Sequence, residues 1–96
     1  MIRGILDIRK LSNPGSDIDV YQVHFEERAG GTYDASLTEA AVEDLLYNKL
    51  RLDLEVDDLH AQVDELKRTG RTTFEDMEIE EAELTASGLS YLPYAG

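Results

Sequence analysis

The sequence predicts an α+β domain in which an antiparallel sheet comes first and amphipathic helices follow. Over the first third of the chain, apolar residues alternate with polar ones, which is the period of half-buried strands. After about residue 36 the apolar residues recur every three or four positions, the period of a helix. The 96 residues suffice for one domain, 1–96, and not for two separate cores. We therefore expect a three-stranded antiparallel β-meander, two amphipathic helices, a short acidic element and a docked C-terminal tail.

The first predicted strand spans residues 2–9, where apolar and charged residues alternate. A turn is expected at 13–17, because Pro14 presets the first turn angle and Gly15 accepts a positive φ. A second strand is expected at 18–25, a segment rich in β-branched and aromatic residues.

A hairpin and a third strand complete the predicted meander. The segment 29–31 contains two glycines and favours a tight turn, so we expect a short strand at 32–35. One face of the second strand is expected to carry Tyr21, Val23 and Phe25.

The first predicted helix begins after a capping box. Ser36 and Glu39 have the spacing at which each side chain can accept a hydrogen bond from the other residue's backbone N–H. Apolar residues recur at helical spacing from Leu37 to Leu50, so the helix is expected to end near Leu50.

A second helix is predicted from about Val56 to Arg68. Acidic residues in its first turn and basic residues in its last suit the helix dipole, and Gly70 is expected to end it in the left-handed conformation.

Residues 75–84 fit either a strand or a short helix. A strand places Met77, Ile79 and Glu81 on one face. A helix instead forms two turns at 80–86 and, ending at Gly88, brings Leu84 and Leu89 together as a Schellman motif requires. The helix is the interpretation we favour. The apolar tail after it is expected to pack on the domain.

The predicted core draws on the sheet and on both helices. Its members are Leu6, Ile8, Tyr21, Val23, Phe25, Val42, Leu45, Val56, Leu59, Val63 and Leu66.

The charge of the chain is strongly acidic, with 21 acidic and 9 basic residues and a net charge of −12. Such a field repels nucleic acid and anionic membranes, so neither is expected as a partner. The first residues lack a signal-peptide pattern, and no apolar run is long enough to cross a bilayer. A cytoplasmic location is therefore expected.

Catalytic and cofactor motifs are not evident. The chain has no cysteine, no G-x-S-x-G elbow and no glycine-rich phosphate loop. Residues 53–64 resemble a calcium loop but have Asp58 where glycine is needed. Asp57, His60 and Asp64 share a helix face and could hold a divalent ion weakly, but a single histidine beside acids is common on a solvated helix. We expect no catalytic residues, no metal and no cofactor, and hence not an enzyme.

The acidic residues themselves are the best candidates for function. We expect a small non-enzymatic interaction module that presents a carboxylate-rich helical face to a basic protein, as inhibitors, antitoxins, immunity proteins and DNA mimics do. The residues expected to bind this partner are Glu39, Glu43, Asp57, Asp58, Asp64 and Glu65.

The alternative is a homo-oligomeric structural or accessory domain whose acidic surface serves solubility only. Aromatic residues with a polar tip suit interfaces, so a homodimer contact would involve the tail residues Tyr91, Leu92 and Tyr94.

Overall fold

The computed structural model describes residues 1–11, 19–50 and 54–92, and over these residues the chain is an α+β protein. The strands of its antiparallel sheet are β1 (Ile2–Leu11), β2 (Val20–Glu27), β3 (Thr32–Thr38), β4 (Arg71–Ile79) and β5 (Ser90–Leu92). The helices are α1 (Glu39–Asp44), which continues into a π-helical turn (Leu45–Lys49), α2 (Val56–Thr69) and α3 (Glu81–Ala86). The expected α+β class is confirmed.

The strand order is β4-β1-β2-β3-β5, so β1 lies inside the sheet. β1 pairs antiparallel with β2 on one side and with β4 on the other. The short β5 pairs with β3 and places Tyr91 opposite Tyr33. The predicted meander of β1, β2 and β3 is thus the middle of a larger sheet, to which the second half of the chain adds a strand at each edge.

A β-bulge interrupts the pairing of β1 with β4. Gly4 lies opposite Met77 while Leu6 lies opposite Phe74, so β4 has one more residue than β1 in this interval. Asp76 adopts a φ of 55°, in the left-handed region that residues other than glycine rarely enter. The bulge changes which residues of β4 face the core: Thr72 and Phe74 before it, Met77 and Ile79 after it.

The sheet passes so close to Gly4 that only glycine fits there. A Cβ at this position would lie 2.0 Å from the backbone carbonyl oxygen of Glu26. The missing side chain therefore allows β1 and β2 to pair closely beside the bulge.

The helices cover one face of the sheet, with α1 against β2 and β3 and α2 against β4 and β1. The buried apolar side chains between these layers form one core. They are Leu6, Ile8, Tyr21, Val23, Phe25, Tyr33, Val42, Leu45, Leu46, Leu50, Val63, Leu66, Phe74, Met77, Ile79, Leu84 and Leu89.

The predicted core is confirmed except at two positions on α2. Val56 is 65% exposed because it is the first residue of α2 and lies at the end of the helix, although helix spacing places it on the same face as the buried Val63. Leu59 is partly buried and packs against the edge of the core.

The start of α1 differs from the predicted capping box. β3 extends to Thr38, because Ser36 pairs with Gln22 of β2 and is held in an extended conformation. Thr38 is the N-cap instead, and its hydroxyl oxygen accepts a hydrogen bond from the backbone N–H of Ala41 at 3.3 Å.

The ends of α2 and α3 follow the sequence pattern. Gly70 ends α2 with a φ of 84°, and its N–H donates to the carbonyl oxygen of Leu66 at 2.8 Å. At the end of α3, Gly88 has a φ of 94° and the N–H of Leu89 donates to the carbonyl oxygen of Leu84 at 3.2 Å. The predicted Schellman motif is confirmed.

The acidic segment that fits two interpretations contains both structures. Residues 75–79 belong to β4, as in the strand interpretation, and 81–86 form α3, within the two turns at 80–86 of the favoured helix. The predicted turn at 13–17 and Tyr94 of the tail lie outside the described residues.

Candidate functional site

The carboxylates predicted on the second helix lie on the solvent-facing side of α2. Val63 and Leu66 direct the opposite side of this helix into the core. The remaining surface contains four exposed acidic residues, which we call the α2 carboxylates: Asp57, Asp58, Asp64 and Glu65. Among the residues that the structure describes, none of these four has an ion-pair partner, so their charges remain available to an external cation.

The α2 carboxylates form two pairs around the helix. Each residue advances the helix by about 100°, so Asp57 and Asp64 lie on the side next to His60. Asp58 and Glu65 lie about another 100° around the helix, away from α1. The sequence grouped these four residues, and the structure divides them between two neighbouring strips of one surface.

Glu39 and Glu43, which we expected to join this surface, are engaged within the protein. Lys67 of α2 contacts the carboxylate of Glu43 and lies 3.8 Å from that of Glu39. Its hydrogen bond to Glu43 is the main cause that raises the pKa of Lys67. This pairing links the C-terminal end of α2 to α1, so the two glutamates hold the helix layer together.

An aromatic contact that the sequence analysis did not identify lies beside the α2 carboxylates. The rings of Tyr47 and His60 meet edge to face, with centroids 5.4 Å apart and an interplanar angle of 77°. Tyr47 lies in the π-helical turn and is 40% exposed. We call this exposed set the Tyr47 patch: Tyr47, His60 and, one turn before His60 on the same side of α2, Val56.

The solvent-facing side of the sheet carries a second polar cluster. In the strand register, one row across the sheet reads Thr73, Asp7, His24, Asp34 and Ser90. Arg71 donates two hydrogen bonds to the Asp7 carboxylate, both of 3.2 Å, and the hydroxyl of Thr73 donates a third of 2.9 Å. These bonds tie β4 to β1 on the solvent side.

His24 and Asp34 form the other contact in this row. Nδ1 of His24 lies 2.6 Å from Oδ1 of Asp34. Both row neighbours of His24 are carboxylates, and the hydroxyl of Ser90 lies beyond Asp34. A serine nucleophile needs its base as a direct neighbour, so this row does not have the order of a catalytic triad.

Two depressions lie on this side of the sheet. One of about 330 Å³ is lined by the sheet residues around His24, and one of about 500 Å³ lies at the β-bulge. In the second, Arg28 donates to the carboxylate of Asp76 at 2.7 Å, while Arg3 lies 3.9 Å from the same oxygen and 3.1 Å from Glu78. These ion pairs stabilise the bulge.

Within residues 1–11, 19–50 and 54–92, no three His, Asp or Glu side chains come together as ligands for an ion. Nor does any described helix combine the length and apolar character needed to span a bilayer.

The tail residue Tyr91 packs within its own domain. Its ring lies 4.7 Å from that of Tyr33, and it covers Gly31, where a Cβ would come within 2.8 Å of the Tyr91 ring. Tyr91 nevertheless remains 44% exposed. Docking of the tail as β5 accounts for this aromatic residue, and the homodimer contact stays a prediction.

Comparisons with protein-family models, with curated proteins and with solved structures found no significant match to this chain.

Proposed function

We propose that this protein is a non-enzymatic interaction module that binds a basic protein through the α2 carboxylates. The observation that carries the proposal is their lack of ion-pair partners among the described residues. A single exposed carboxylate gains little free energy from an isolated ion pair. Four carboxylates on one surface together create a field that attracts and orients a cationic partner.

The distribution of basic residues supports this proposal. Among the described residues, six basic side chains contact acidic residues of the same chain, and none of these contacts involves an α2 carboxylate, although Lys67 itself belongs to α2: Arg3, Lys10, Arg28, Lys49, Lys67 and Arg71. Four carboxylates on one helix without such contacts attract a cationic molecule.

The proposal is tested by capture on immobilised protein. Lysate of the source organism is passed over the wild type, and bound proteins are eluted with rising salt and identified by mass spectrometry. We expect one basic protein to be retained at physiological salt and released by a few hundred millimolar salt. The variant Asp57→Asn/Asp58→Asn/Asp64→Asn/Glu65→Gln should fail to retain it.

A matched control removes the same number of charges from another surface. The variant Glu26→Gln/Glu27→Gln/Glu75→Gln/Glu80→Gln changes the net charge equally, at the sheet and the start of α3, and should retain the partner. Equal loss of binding in both variants would show that only net charge matters and would contradict the proposal.

Sedimentation analysis separates the homo-oligomeric alternative from the interaction module. That alternative predicts a stable dimer that persists at moderate salt and dissociates on Tyr91→Ala. The interaction module predicts that purified protein retains its capture activity in the Tyr91→Ala variant.

A further inference from the structure

The Tyr47 patch has the composition of the centre of a protein interface. Tyrosine is among the residues that contribute most to binding when it lies in the middle of a contact surface. Tyr47 is 40% exposed and Val56 is 65% exposed, although both side chains are of kinds that could contribute to a core. Tyr47 therefore presents apolar surface beside His60 of α2, and Val56 presents more surface one turn earlier on the same helix.

The orientation of Tyr47 is fixed before any partner arrives. Its ring packs edge to face against His60, and its backbone belongs to a π-helical turn, a local structure often found at functional sites. A side chain held in this way loses less conformational entropy on binding than a free one. The Tyr47 patch therefore loses less conformational entropy when a partner binds.

Carboxylates flank this patch along the helix. Asp57 lies one turn before His60 and Asp64 one turn after it, on the neighbouring strip of the α2 surface. The two carboxylates are therefore about 10 Å apart along the helix axis. Because Val56 precedes Asp57, the apolar centre between these two charges is the Tyr47 ring that packs on His60, and it is complementary to an apolar side chain between two positive charges. The charge pattern therefore selects the chemistry of the occupant.

We propose that the Tyr47 patch is the anchor site for a basic amphipathic segment of the partner. An apolar side chain of that segment packs on Tyr47 and Val56, and two Lys or Arg side chains about 10 Å apart bind Asp57 and Asp64. In a helix these bases are seven residues apart, with the apolar residue midway between them. This inference rests on the proposed function and adds the site of the apolar contact and the spacing of the partner's charges.

The test uses two synthetic helical peptides of identical composition. In the first, two lysines seven residues apart flank two leucines on the same face; in the second, the leucines are moved to the opposite face. Binding to the ¹⁵N-labelled protein is measured by NMR titration, which detects millimolar Kd values. We expect the first peptide to bind about fivefold more tightly and to shift the amide signals of Tyr47, Val56 and His60.

Variants at exposed positions identify the site. Tyr47→Ala and, independently, Val56→Ser should abolish the difference between the two peptides. Ile5→Ala removes apolar surface that is 45% exposed on the other side of the sheet and should leave the difference unchanged. Because Val56→Ser lies at an exposed position, it tests the site even if Tyr47→Ala weakens the fold.

The outcomes distinguish this inference from the proposed function. Equal binding of both peptides, lost on neutralising the α2 carboxylates, would overturn the anchor site and leave the acidic interaction surface standing. Binding of both peptides that is unaffected by neutralising the α2 carboxylates would overturn the two proposals together. No binding of the first peptide to the wild type would also overturn the anchor site.

Discussion

The solvent-facing side of the sheet and that of α2 differ in how their charged side chains are paired. On the sheet, Asp7 receives three hydrogen bonds from β4 and Asp76 lies between two arginines. On α2, the four carboxylates face water without ion-pair partners among the described residues. The hydrogen-bonded charges on the sheet thus contribute to the protein's own stability, whereas the α2 carboxylates contribute only through the helix dipole at Asp57 and Asp58.

The largest effect is expected from disturbing the backbone on which the sheet's ion pairs depend. Gly4→Ala places a methyl group 2.0 Å from the carbonyl oxygen of Glu26, so β1 and β2 must separate beside the bulge. We expect the free energy of unfolding to fall by about 2–3 kcal/mol in urea denaturation. Gly88→Ala, where the left-handed φ of 94° is strained but a Cβ meets no neighbour, should cost about 1 kcal/mol. A smaller loss at Gly4 than at Gly88 would contradict this account of the sheet.

A matched pair of substitutions tests the comparison directly. Asp7→Asn removes a carboxylate whose side chain is 22% exposed and which accepts from Arg71 and Thr73. We expect a loss of about 1–2 kcal/mol in the free energy of unfolding. Asp64→Asn on α2 should change it by less than about 0.5 kcal/mol. Similar losses at both positions would remove the distinction between the two surfaces.

Tyr33 provides a pH-dependent test of the sheet side of the domain. Burial, and then the 2.8 Å hydrogen bond donated to Glu81, raise the pKa of the Tyr33 hydroxyl. The folded state therefore favours the neutral phenol, and this stabilisation is complete below about pH 10 and is lost as the pH rises further. Tyr33→Phe should cost about 1 kcal/mol at neutral pH.

The control for the Tyr33 prediction is the dependence of the free energy of unfolding on pH. Unfolding experiments between about pH 8 and 11 should show the wild type losing stability faster than Tyr33→Phe above pH 10. Parallel profiles would mean that the buried hydroxyl does not titrate differently in the folded and unfolded states.

The smallest effect is expected from neutralising Asp64 and Glu65 of the α2 carboxylates, and its sign is opposite. Asp64→Asn/Glu65→Gln should raise Tm by about 1–2 °C in low salt, because repulsion is removed while Asp57 and Asp58 keep their favourable place at the N-terminal end of the helix dipole. In about 0.5 M NaCl the difference should nearly vanish, since salt screens exposed charges. A lower Tm in the variant would indicate that these residues have stabilising partners.

The sequence predicted the helices better than the sheet for a physical reason. Helix periods and end signals are local, so α2, Gly70 and the Schellman motif at Gly88 could be placed from neighbouring residues. β4 could not, because the bulge at Asp76 interrupts its alternation: the inward residues change from Phe74 to Met77. Without knowledge of β1, such a shift resembles the end of a strand.

The start of α1 shows tertiary structure overriding a local motif. Ser36 and Glu39 fit a capping box, but pairing with β2 keeps the chain extended until Thr38. The hydrogen bonds between these strands contribute more to stability than the helix loses when its N-cap moves by two residues, because an N-cap hydroxyl is available at either position.

The candidate site was predicted only in part. The acidic residues of α2 could be placed on one surface from helix geometry. The engagement of Glu39 and Glu43 by Lys67 and the contact of Tyr47 with His60 depend on how two helical segments pack, which no local pattern reveals. The same holds for His24 and Asp34, which meet only once the register of β2 and β3 is known.

The central position of β1 has a consequence for how the chain acquires its structure. β1, which precedes the other strands of the sheet in the sequence, pairs on one side with β2, close in sequence, and on the other with β4, more than sixty positions away. Until β4 emerges, one hydrogen-bonding edge of β1 and the apolar face around Leu6 lack their cover. Contacts so distant in sequence slow folding. The sheet is therefore complete only after β4 and β5 have been synthesised.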